Sequence, residues 1–483
     1  MEKAGTDEGG GRGAAGGKAE CRMESIRHHD GDGAVAIAVD ALPALDGELV
    51  VDVASRSALA DDDGHAARHL PLAVLRPGSV ADVAAMLRFA AEHGLRAAPR
   101  GQGHATGGQA RVPDRIVIDM RTLDTVHKVL PDRVVVDAGA RWRDVLTATT
   151  PAGLTPPVLT DCVELTVGGT LAVGGVGGTS HLHGLQTDNV LELEVVTGDG
   201  RVRTCSPNYD RPLFEAALAG LGQCVVIVRA TLRLVPARSR VRRHRLRYAD
   251  PHRFLVAQRR LVTHHRFDHV SGRAVPDERG GWRYVVEAAR FHTPPSSPED
   301  PAAWDDVVPW DGDVETDDLS YVDFVTRESP GAAGWPPARS AHPWLGGFLP
   351  DVRAEEVVVD VLARVSREEL GEGGRVVLYP TTTDRFNTPL FRMPGGPVVV
   401  HFALLRTTSP DDADALARIA SANHYFAERV REAGGAVYPH GTMSFTRDDW
   451  QAHFGPVWPR FAAAKVRYDP RHVLTSGQRI FLS

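Results

Sequence analysis

The sequence lacks the features that mark membrane proteins, disulfide-rich proteins and nucleic-acid-binding proteins. Its 483 residues contain four cysteines, whose spacing fits neither a disulfide framework nor a zinc cluster. No apolar run approaches the ~18 residues that a membrane-spanning helix needs, which argues against an integral membrane protein. Lys and Arg total 55 against 62 Asp and Glu, and the resulting net charge of −7 argues against a nucleic-acid partner.

The N-terminal segment also lacks the marks of folded structure. Residues 1–35 are rich in glycine and polar side chains and show no periodic apolar face. We therefore expect a disordered leader there. No basic region is followed by an apolar region, so we expect no secretory signal. Together with the unpaired cysteines, this predicts a cytoplasmic protein.

The rest of the chain has the composition of a folded protein of two or three domains. Apolar residues make up 42% of the sequence and charged residues 24%. From Leu72 onward the pattern alternates between strands and helices, with a helix expected between Ser79 and Gly94. Arginines alternate along residues 238–247, which predicts a strand with a solvated face and a domain boundary. An anion-binding groove is the less favoured reading of that segment.

Two glycine-rich segments carry the strongest local signal. We call residues 100–109 (RGQGHATGGQ) the first glycine loop and residues 165–178 (LTVGGTLAVGGVGG) the second glycine loop. Glycines let backbone N–H groups approach a phosphate or a ring oxygen closely. The first glycine loop has the spacing of neither a dinucleotide-binding motif nor a phosphate-loop motif. The pair predicts one extended anionic cofactor held from both sides, with two ordinary surface loops as the alternative.

These loops and further motifs resemble the cytokinin dehydrogenases, which are FAD enzymes of the vanillyl-alcohol-oxidase/PCMH type. The resemblance rests on these segments, in chain order: 100–104 (RGQGH), 160–161 (TD), 165–171 (LTVGGTL), 183–184 (HG), 195–198 (VVTG), 221–223 (LGQ), 342–345 (HPWL) and 477–481 (GQRIF).

The resemblance implies an α+β fold in two main parts. A PCMH-type FAD-binding domain of two α/β subdomains, split in sequence, would take residues 36–237 plus 441–483. An inserted substrate domain, built on an antiparallel sheet flanked by helices, would take residues 238–440.

The resemblance also implies FAD as the cofactor, bonded covalently through His104 alone. A cysteine of the related berberine-bridge type makes a second flavin bond, but its position is Glu164 here; Cys162 nearby remains a minority alternative. Ala105 and Ala172 replace family serines at two of the implied FAD contacts. The implied cofactor-binding residues are Gly101, Gln102, Gly103, Ala105, Gln109, Thr166, Gly168, Gly169, Ala172, Val176, Val226, Thr475 and Gln478.

Oxidation of a C–H bond beside a heteroatom requires a group that accepts the heteroatom's proton. The resemblance gives this role to Asp161, five residues before Thr166, and the binding of a purine N–H to Glu287. A turn residue and a solvent-facing strand carboxylate are the respective alternatives. The implied substrate-pocket residues are Trp344, Gly346, Tyr379 and Tyr438. Gly346 stands where the family has Asn, and we expect no metal site.

The expected function is that of an FAD-dependent oxidase or dehydrogenase. It would remove a hydride from a carbon next to an amine or hydroxyl, as in oxidative cleavage of N6-isoprenoid adenine side chains. A tailoring flavin oxidase of secondary metabolism and a non-redox flavin-bound cyclase are the alternatives. We expect a small-molecule substrate, oxygen or a quinone-like electron acceptor, no nucleic-acid or membrane partner, and a monomer or small homo-oligomer.

Overall fold

The structure is a computed structural model. It describes residues 25–30, 33–38, 42–65, 68–109, 115–278, 280–296, 309–328, 336–337, 339–475 and 477–481. The chain divides into two units, Met1–Leu42 and Pro43–Ser483. No helix in these ranges is long and apolar enough to cross a membrane.

The first unit contains an antiparallel hairpin of strands β1 (Ser25–Asp30) and β2 (Gly33–Ala38). The sequence predicted a disordered leader over residues 1–35, so these two strands differ from that prediction. The physical reason is the presence of β-branched residues at positions 26, 35 and 37 on both sides of a Gly-Asp-Gly segment, a pattern typical of a hairpin. Residues 1–24 of the predicted leader lie outside the described part.

A small sheet opens the second unit. Its strands are β3 (Glu48–Val50), β4 (Ala73–Arg76), β5 (Ala97–Arg100) and β6 (Ile116–Asp119), in the order β3-β4-β6-β5. Strands β4, β6 and β5 run parallel to one another, and β3 is antiparallel to β4. The short helix α1 (Val53–Ser57) joins β3 to the chain that leads into β4.

Helix α2 (Val80–Glu92) confirms the helix expected between Ser79 and Gly94. Its apolar positions, among them Val83 and Leu87, are buried. The Ser79 hydroxyl accepts a hydrogen bond from the backbone N–H of Asp82. The Asp82 carboxylate instead accepts backbone N–H groups of the neighbouring loops, so it secures these loops rather than closing a capping box.

A five-stranded antiparallel sheet follows. Its strands are β7 (Val126–Leu130), β8 (Arg133–Asp137), β10 (Val190–Thr197), β11 (Val202–Cys205) and β12 (Val225–Arg233), in the order β11-β10-β12-β8-β7. Strand β9 (Leu154–Thr155) pairs separately with β13 (Val235–Pro236). The helices of this region are α3 (Trp142–Thr149), α4 (Val167–Leu171), α5 (Ser180–His183) and α6 (Arg211–Ala217).

An eight-stranded antiparallel sheet dominates the second half of the chain. Its strands are β14 (Arg240–Tyr248), β15 (His269–Pro276), β16 (Trp282–His292), β17 (Glu315–Ser320), β18 (Leu345–Pro350), β19 (Arg375–Thr382), β20 (Val398–Leu405) and β21 (Ala436–Tyr438). Their order is β17-β14-β16-β15-β19-β20-β18-β21. The accompanying helices are α7 (Pro251–Thr263), α8 (Tyr321–Thr326), α9 (Asp351–Leu362), α10 (Arg367–Leu370) and α11 (Ala413–Glu432).

Three of these helices cover one face of the eight-stranded sheet. Phe254 of α7, Val357 of α9 and Phe426 of α11 belong to one buried cluster with Leu378 of β19 and Phe402 of β20. Because side chains alternate along a strand, the neighbours of these strand residues point to the opposite face. That opposite face forms one wall of the candidate site.

The arginine-rich strand β14 is neutralised by its neighbour β17. Arg242 lies 3.0 Å from Asp318, and Arg243 lies 2.5 Å from Asp317. Arg245 lies 2.8 Å from Glu315. These pairs explain the alternating charges as cross-strand ion pairs, so the less favoured anion-binding groove has no support.

The C-terminal segment returns to the first half of the chain. After helices α12 (Arg447–Phe454) and α13 (Trp458–Tyr468), Leu474 forms a parallel bridge with Ala97 of β5. The Lys465 ammonium donates hydrogen bonds to Asp469 Oδ2 at 2.5 Å, to the Gln223 carbonyl at 2.7 Å and to the Leu474 carbonyl at 2.6 Å. Both charged side chains are buried, so this pair holds the tail in place.

We predict that Lys465→Met lowers the free energy of unfolding by about 3–5 kcal/mol, because it leaves the Asp469 carboxylate buried without its cation. Thermal and urea unfolding of the purified protein would measure the loss. Lys128→Met, the same change at an exposed site on β7, is the matched control and should stay within about 0.5 kcal/mol of the parent. Equal stability of the two variants would contradict the role assigned to Lys465.

Candidate active site

A cavity of about 400 Å³ lies between the two glycine loops and the uncovered face of the eight-stranded sheet. The first and second glycine loops, together with residues 160–162, form one side. The sheet contributes side chains from β15, β16, β19, β20 and β21. The main sheet residues on this wall are Ser271, Arg273, Val285, Glu287, Val377, Tyr379, His401, Ala403, Leu405 and Tyr438.

Most of the residues singled out from the sequence meet at this cavity. They come from positions up to more than 370 residues apart in the chain, and the fold brings them together around one cavity. The predicted residues that line it are Gly101, Gln102, Gly103, His104, Ala105, Gln109, Asp161, Thr166, Gly168, Gly169, Ala172, Val176, Glu287, Trp344, Tyr379, Tyr438 and Gln478.

Three predicted site residues lie outside this lining. Val226 points away from the cavity because its neighbours on β12, Val225 and Ile227, occupy the facing positions. Thr475 is buried away from the lining, and its hydroxyl accepts a hydrogen bond from Arg115 Nη1 at 2.5 Å. Gly346 is the cross-strand partner of Ala403, and a Cβ atom there would be 2.9 Å from the Ala403 Cβ atom on the same face of the sheet, but Gly346 itself has no side chain that could line the cavity.

The two glycine loops touch each other at positions that exclude larger side chains. A Cβ atom at Gly101 would lie 2.1 Å from the Thr166 hydroxyl oxygen, so only glycine permits this approach. Gly103 has a φ of 74°, in the left-handed region that favours glycine. The resulting cradle is narrow, lined by small residues and exposed backbone, and therefore fits a long planar cofactor with a phosphate-bearing tail.

His104 lies beside a carboxylate that sequence reasoning missed. Its Nδ1 atom is 3.1 Å from Asp63 Oδ2, and the same oxygen is 2.9 Å from His342 Nδ1. Burial alone would raise the pKa of the Asp63 carboxyl, but the contacts with His104 and His342 outweigh it and hold this pKa well below its usual range. Asp63 is therefore an ionised group that orients the His104 ring.

Trp344 joins this arrangement as a packing partner of both histidines. Its ring centroid lies 5.2 Å from that of His104 and 5.1 Å from that of His342. The indole N–H of Trp344 has no hydrogen-bond partner within the ranges that the structure describes, although it is buried. A bound molecule in the cavity could accept this hydrogen bond.

Asp161 has the environment of a proton acceptor. The Tyr379 hydroxyl donates a hydrogen bond to Asp161 Oδ2 at 2.5 Å. Burial raises the pKa of the Asp161 carboxyl, while the hydrogen bond from Tyr379 opposes that rise. A carboxylate with a raised pKa and a fixed orientation suits the removal of a proton from a bound amine or alcohol.

Glu287 is fixed by two arginines. Arg327 Nη2 lies 2.5 Å from Glu287 Oε1, and Arg243 Nη1 lies 3.4 Å from Glu287 Oε2. The Arg327 guanidinium also packs over the Phe324 ring at 3.9 Å. The cavity therefore presents a buried carboxylate whose position is set by these cations, rather than the solvent-facing strand residue that was the alternative.

Cys162, the minority alternative for a second flavin bond, does line the cavity. Burial raises the pKa of its thiol to about 11. Since the thiolate is the reactive form of cysteine, a protonated thiol is a poor nucleophile at neutral pH. This environment favours the reading of Cys162 as a buried structural residue.

Comparison with known proteins identifies the family. Residues 71–206 match the family model of an FAD binding domain, and residues 305–481 match the model described as cytokinin dehydrogenase 1, FAD and cytokinin binding. Cytokinin dehydrogenase 10 of Oryza sativa subsp. japonica is 35% identical over 484 residues, covering 87% of this chain and 86% of that protein. The chain belongs to the cytokinin dehydrogenase family of FAD-dependent oxidoreductases.

Other relatives of this family are similar at comparable coverage. An uncharacterized oxidoreductase, ORF5 in the fasciation locus of Rhodococcoides fascians, is 39% identical over 428 residues, or 87% of this chain and 95% of that protein. Cytokinin dehydrogenase 5 of Arabidopsis thaliana is 32% identical over 488 residues, or 90% of this chain and 89% of that protein. The comparisons confirm the resemblance inferred from the motifs and the expectation of an FAD-dependent oxidoreductase.

We predict that Tyr379→Phe moves the acid limb of the pH profile of kcat/KM to higher pH. Asp161 must be ionised to accept a proton, so activity falls as the pH drops through its pKa. Removal of the Tyr379 hydroxyl withdraws a hydrogen bond that favours the ionised form, so this pKa rises further.

Tyr438→Phe is the matched control for this prediction. Tyr438 also lines the cavity, but its hydroxyl accepts a hydrogen bond from the Gly175 N–H and makes none with Asp161. The control should leave the acid limb where the parent has it. An unmoved limb in Tyr379→Phe, or a shift to lower pH, would show that Asp161 is not the titrating base.

Proposed function

We propose that this protein oxidises N6-isoprenoid adenines and so cleaves their side chains. The observation that carries the proposal is the Asp161 carboxylate, hydrogen-bonded to Tyr379 on the wall of a cavity formed by two glycine loops. The names of the similar plant proteins support this substrate class. FAD held by the two glycine loops would supply the hydride acceptor for the carbon next to the substrate amine.

The protein's own side chains accept the substrate's proton and bind its purine ring. Asp161 accepts the amine proton while Tyr379 keeps its carboxylate oriented. Loss of the hydride and the proton leaves a carbon–nitrogen double bond, and water then splits it into adenine and an aldehyde. Glu287, held by Arg243 and Arg327, accepts a hydrogen bond from a purine N–H at the other end of the cavity.

We also propose that His104 holds FAD through a covalent bond. The supporting observations are its position within the first glycine loop and its contact with Asp63, which orients the imidazole. The other FAD contacts come from both glycine loops and from Gln478, whose side-chain amide donates a hydrogen bond to the Pro439 carbonyl. The electron acceptor, oligomeric state, domain boundaries and cytoplasmic location stay predictions.

A tailoring oxidase for a different amine or alcohol is the second candidate function. The observation that favours it is Gly346, because the pocket wall lacks the asparagine side chain of the resembled family at this point. The same proton acceptor and hydride acceptor would serve both reactions. Only the shape and polarity of the pocket beyond Asp161 would differ.

We predict that Asp161→Asn lowers the rate of anaerobic flavin reduction by N6-isoprenoid adenines at least about 100-fold, since it removes the proton acceptor. Stopped-flow bleaching of the flavin band would measure this rate. Asp384→Asn, an exposed carboxylate, is the control and should keep the parent rate. Parent enzyme that converts substrate while its flavin stays oxidised would support the non-redox cyclase instead.

We predict that His104→Ala releases the flavin when the protein is precipitated with acid, whereas the parent keeps it in the pellet. The absorbance of the supernatant near the flavin band measures the released fraction. His440→Ala is the control, because His440 lines the same cavity and should leave the covalent bond intact. Flavin released from the parent protein would contradict covalent attachment through His104.

A further inference from the structure

His401 is a buried histidine on the cavity wall that the proposed mechanism does not use. It is 7% exposed and lies on β20 between its cross-strand neighbours Tyr379 and Phe348. Its ring stacks on Phe348 at a centroid distance of 4.8 Å and meets Tyr379 edge-on at 6.2 Å. Neither ring nitrogen has a hydrogen-bond partner among the described residues.

Because its nitrogens have no partner among the described residues, the His401 ring makes the cavity wall selective for ligand groups that form hydrogen bonds. A buried donor or acceptor without a partner is destabilising, so a ligand group that forms a hydrogen bond with the ring binds more tightly. Burial lowers the pKa of His401 to about 3, so the ring is neutral at pH 7 and offers one N–H donor and one acceptor. A hydroxyl group, which also donates and accepts, matches this pair.

The position of His401 indicates which part of the substrate it meets. Glu287 on β16 is the cross-strand neighbour of Ser271 on β15, and Tyr379 on β19 is the cross-strand neighbour of His401 on β20. The register that pairs Arg273 with Val377 places these two pairs in one row across the sheet.

Neighbouring strands lie about 4.8 Å apart, so His401 is one strand beyond Tyr379 on the side away from Glu287. An amine held at Asp161, with its purine toward Glu287, therefore directs its side chain toward His401.

Gly346 makes room for this ring. A Cβ atom at position 346 would lie 3.0 Å from His401 Nε2 and 2.9 Å from the Ala403 Cβ atom. Any side chain there would displace the imidazole or the strand. The imidazole of His401 therefore fits in this position because residue 346 is a glycine.

We propose that His401 binds the end of the N6 side chain, and that this protein favours side chains with a terminal hydroxyl over all-hydrocarbon ones. The inference rests on the proposed function. A hydroxyl at the chain end pairs with the ring nitrogens, whereas a methyl group leaves them unpaired. Sites that hydrogen-bond a substrate group reject the analogue that lacks it.

The test compares two probes, N6-(isopent-2-enyl)adenine and its analogue with a hydroxyl on a terminal methyl group. The parent should show a kcat/KM at least about tenfold higher for the hydroxylated probe, which corresponds to one lost hydrogen bond in the other complex. His401→Phe should reduce this ratio to within about twofold of unity, mainly through slower turnover of the hydroxylated probe. His401→Gln, which keeps a donor and an acceptor, should retain part of the preference.

The control is His453→Phe. Burial also lowers the pKa of His453, but its ring packs against Trp450 and Phe454 rather than lining the cavity. This variant should keep the parent ratio. If His401→Phe fails to bind flavin, His401→Leu repeats the test with a smaller apolar side chain.

Two results would overturn the inference. One is a parent enzyme with equal or higher kcat/KM for the hydrocarbon probe. The other is a ratio that survives in a flavin-loaded His401→Phe variant. The failure of the proposed function looks different, because neither probe would then bleach the flavin of the parent.

Discussion

The hydrogen bond between Tyr379 and Asp161 is the contact on which the site depends. It joins the eight-stranded sheet to the segment that precedes the second glycine loop. Without the sheet, Asp161 would face water and keep an ordinary carboxyl pKa. Without the loops, the sheet would present an open face with no cofactor beside it. The raised pKa of Asp161 therefore results from its burial between the loops and the sheet rather than from the residue's local sequence.

Most other buried charges near this cavity have a partner. Asp63 lies between two histidines, Glu287 between two arginines, and Asp469 beside Lys465. Partnered charges of this kind fix positions, because a buried ion that loses its counterion is strongly destabilising. His401 differs because it is neutral and buried, and its ring has no hydrogen-bond partner in the part of the chain that the structure describes.

Short motifs account for what could be predicted from the sequence. The two glycine loops, the helix that follows Ser79 and the proposed proton acceptor Asp161 lie in local patterns whose geometry follows from a few residues.

The residues that were missed reach the site through long-range packing. Asp63 lies about 40 residues before His104 with no motif between them. Arg327 meets Glu287 from a helix end 40 positions away. The sequence shows that Gly346 replaces the asparagine of the family. The effect of this replacement on His401 could not be predicted, because it depends on the register of β18 against β20, which places His401 beside Gly346. The hairpin at residues 25–38 was missed because glycine content outweighed a short β-branched pattern.

The order of the cavity's lining residues along the chain has a consequence for biosynthesis. They begin at Ala98 and continue to Gln478, a span of about 380 residues. At ribosomal rates of roughly 5–20 residues per second, the first glycine loop is made on the order of 20–80 s before Gln478. During that interval the nascent chain carries an incomplete flavin cradle. The complete lining of the cavity therefore exists only after the C-terminal segment has been synthesised and has returned to the first half of the chain.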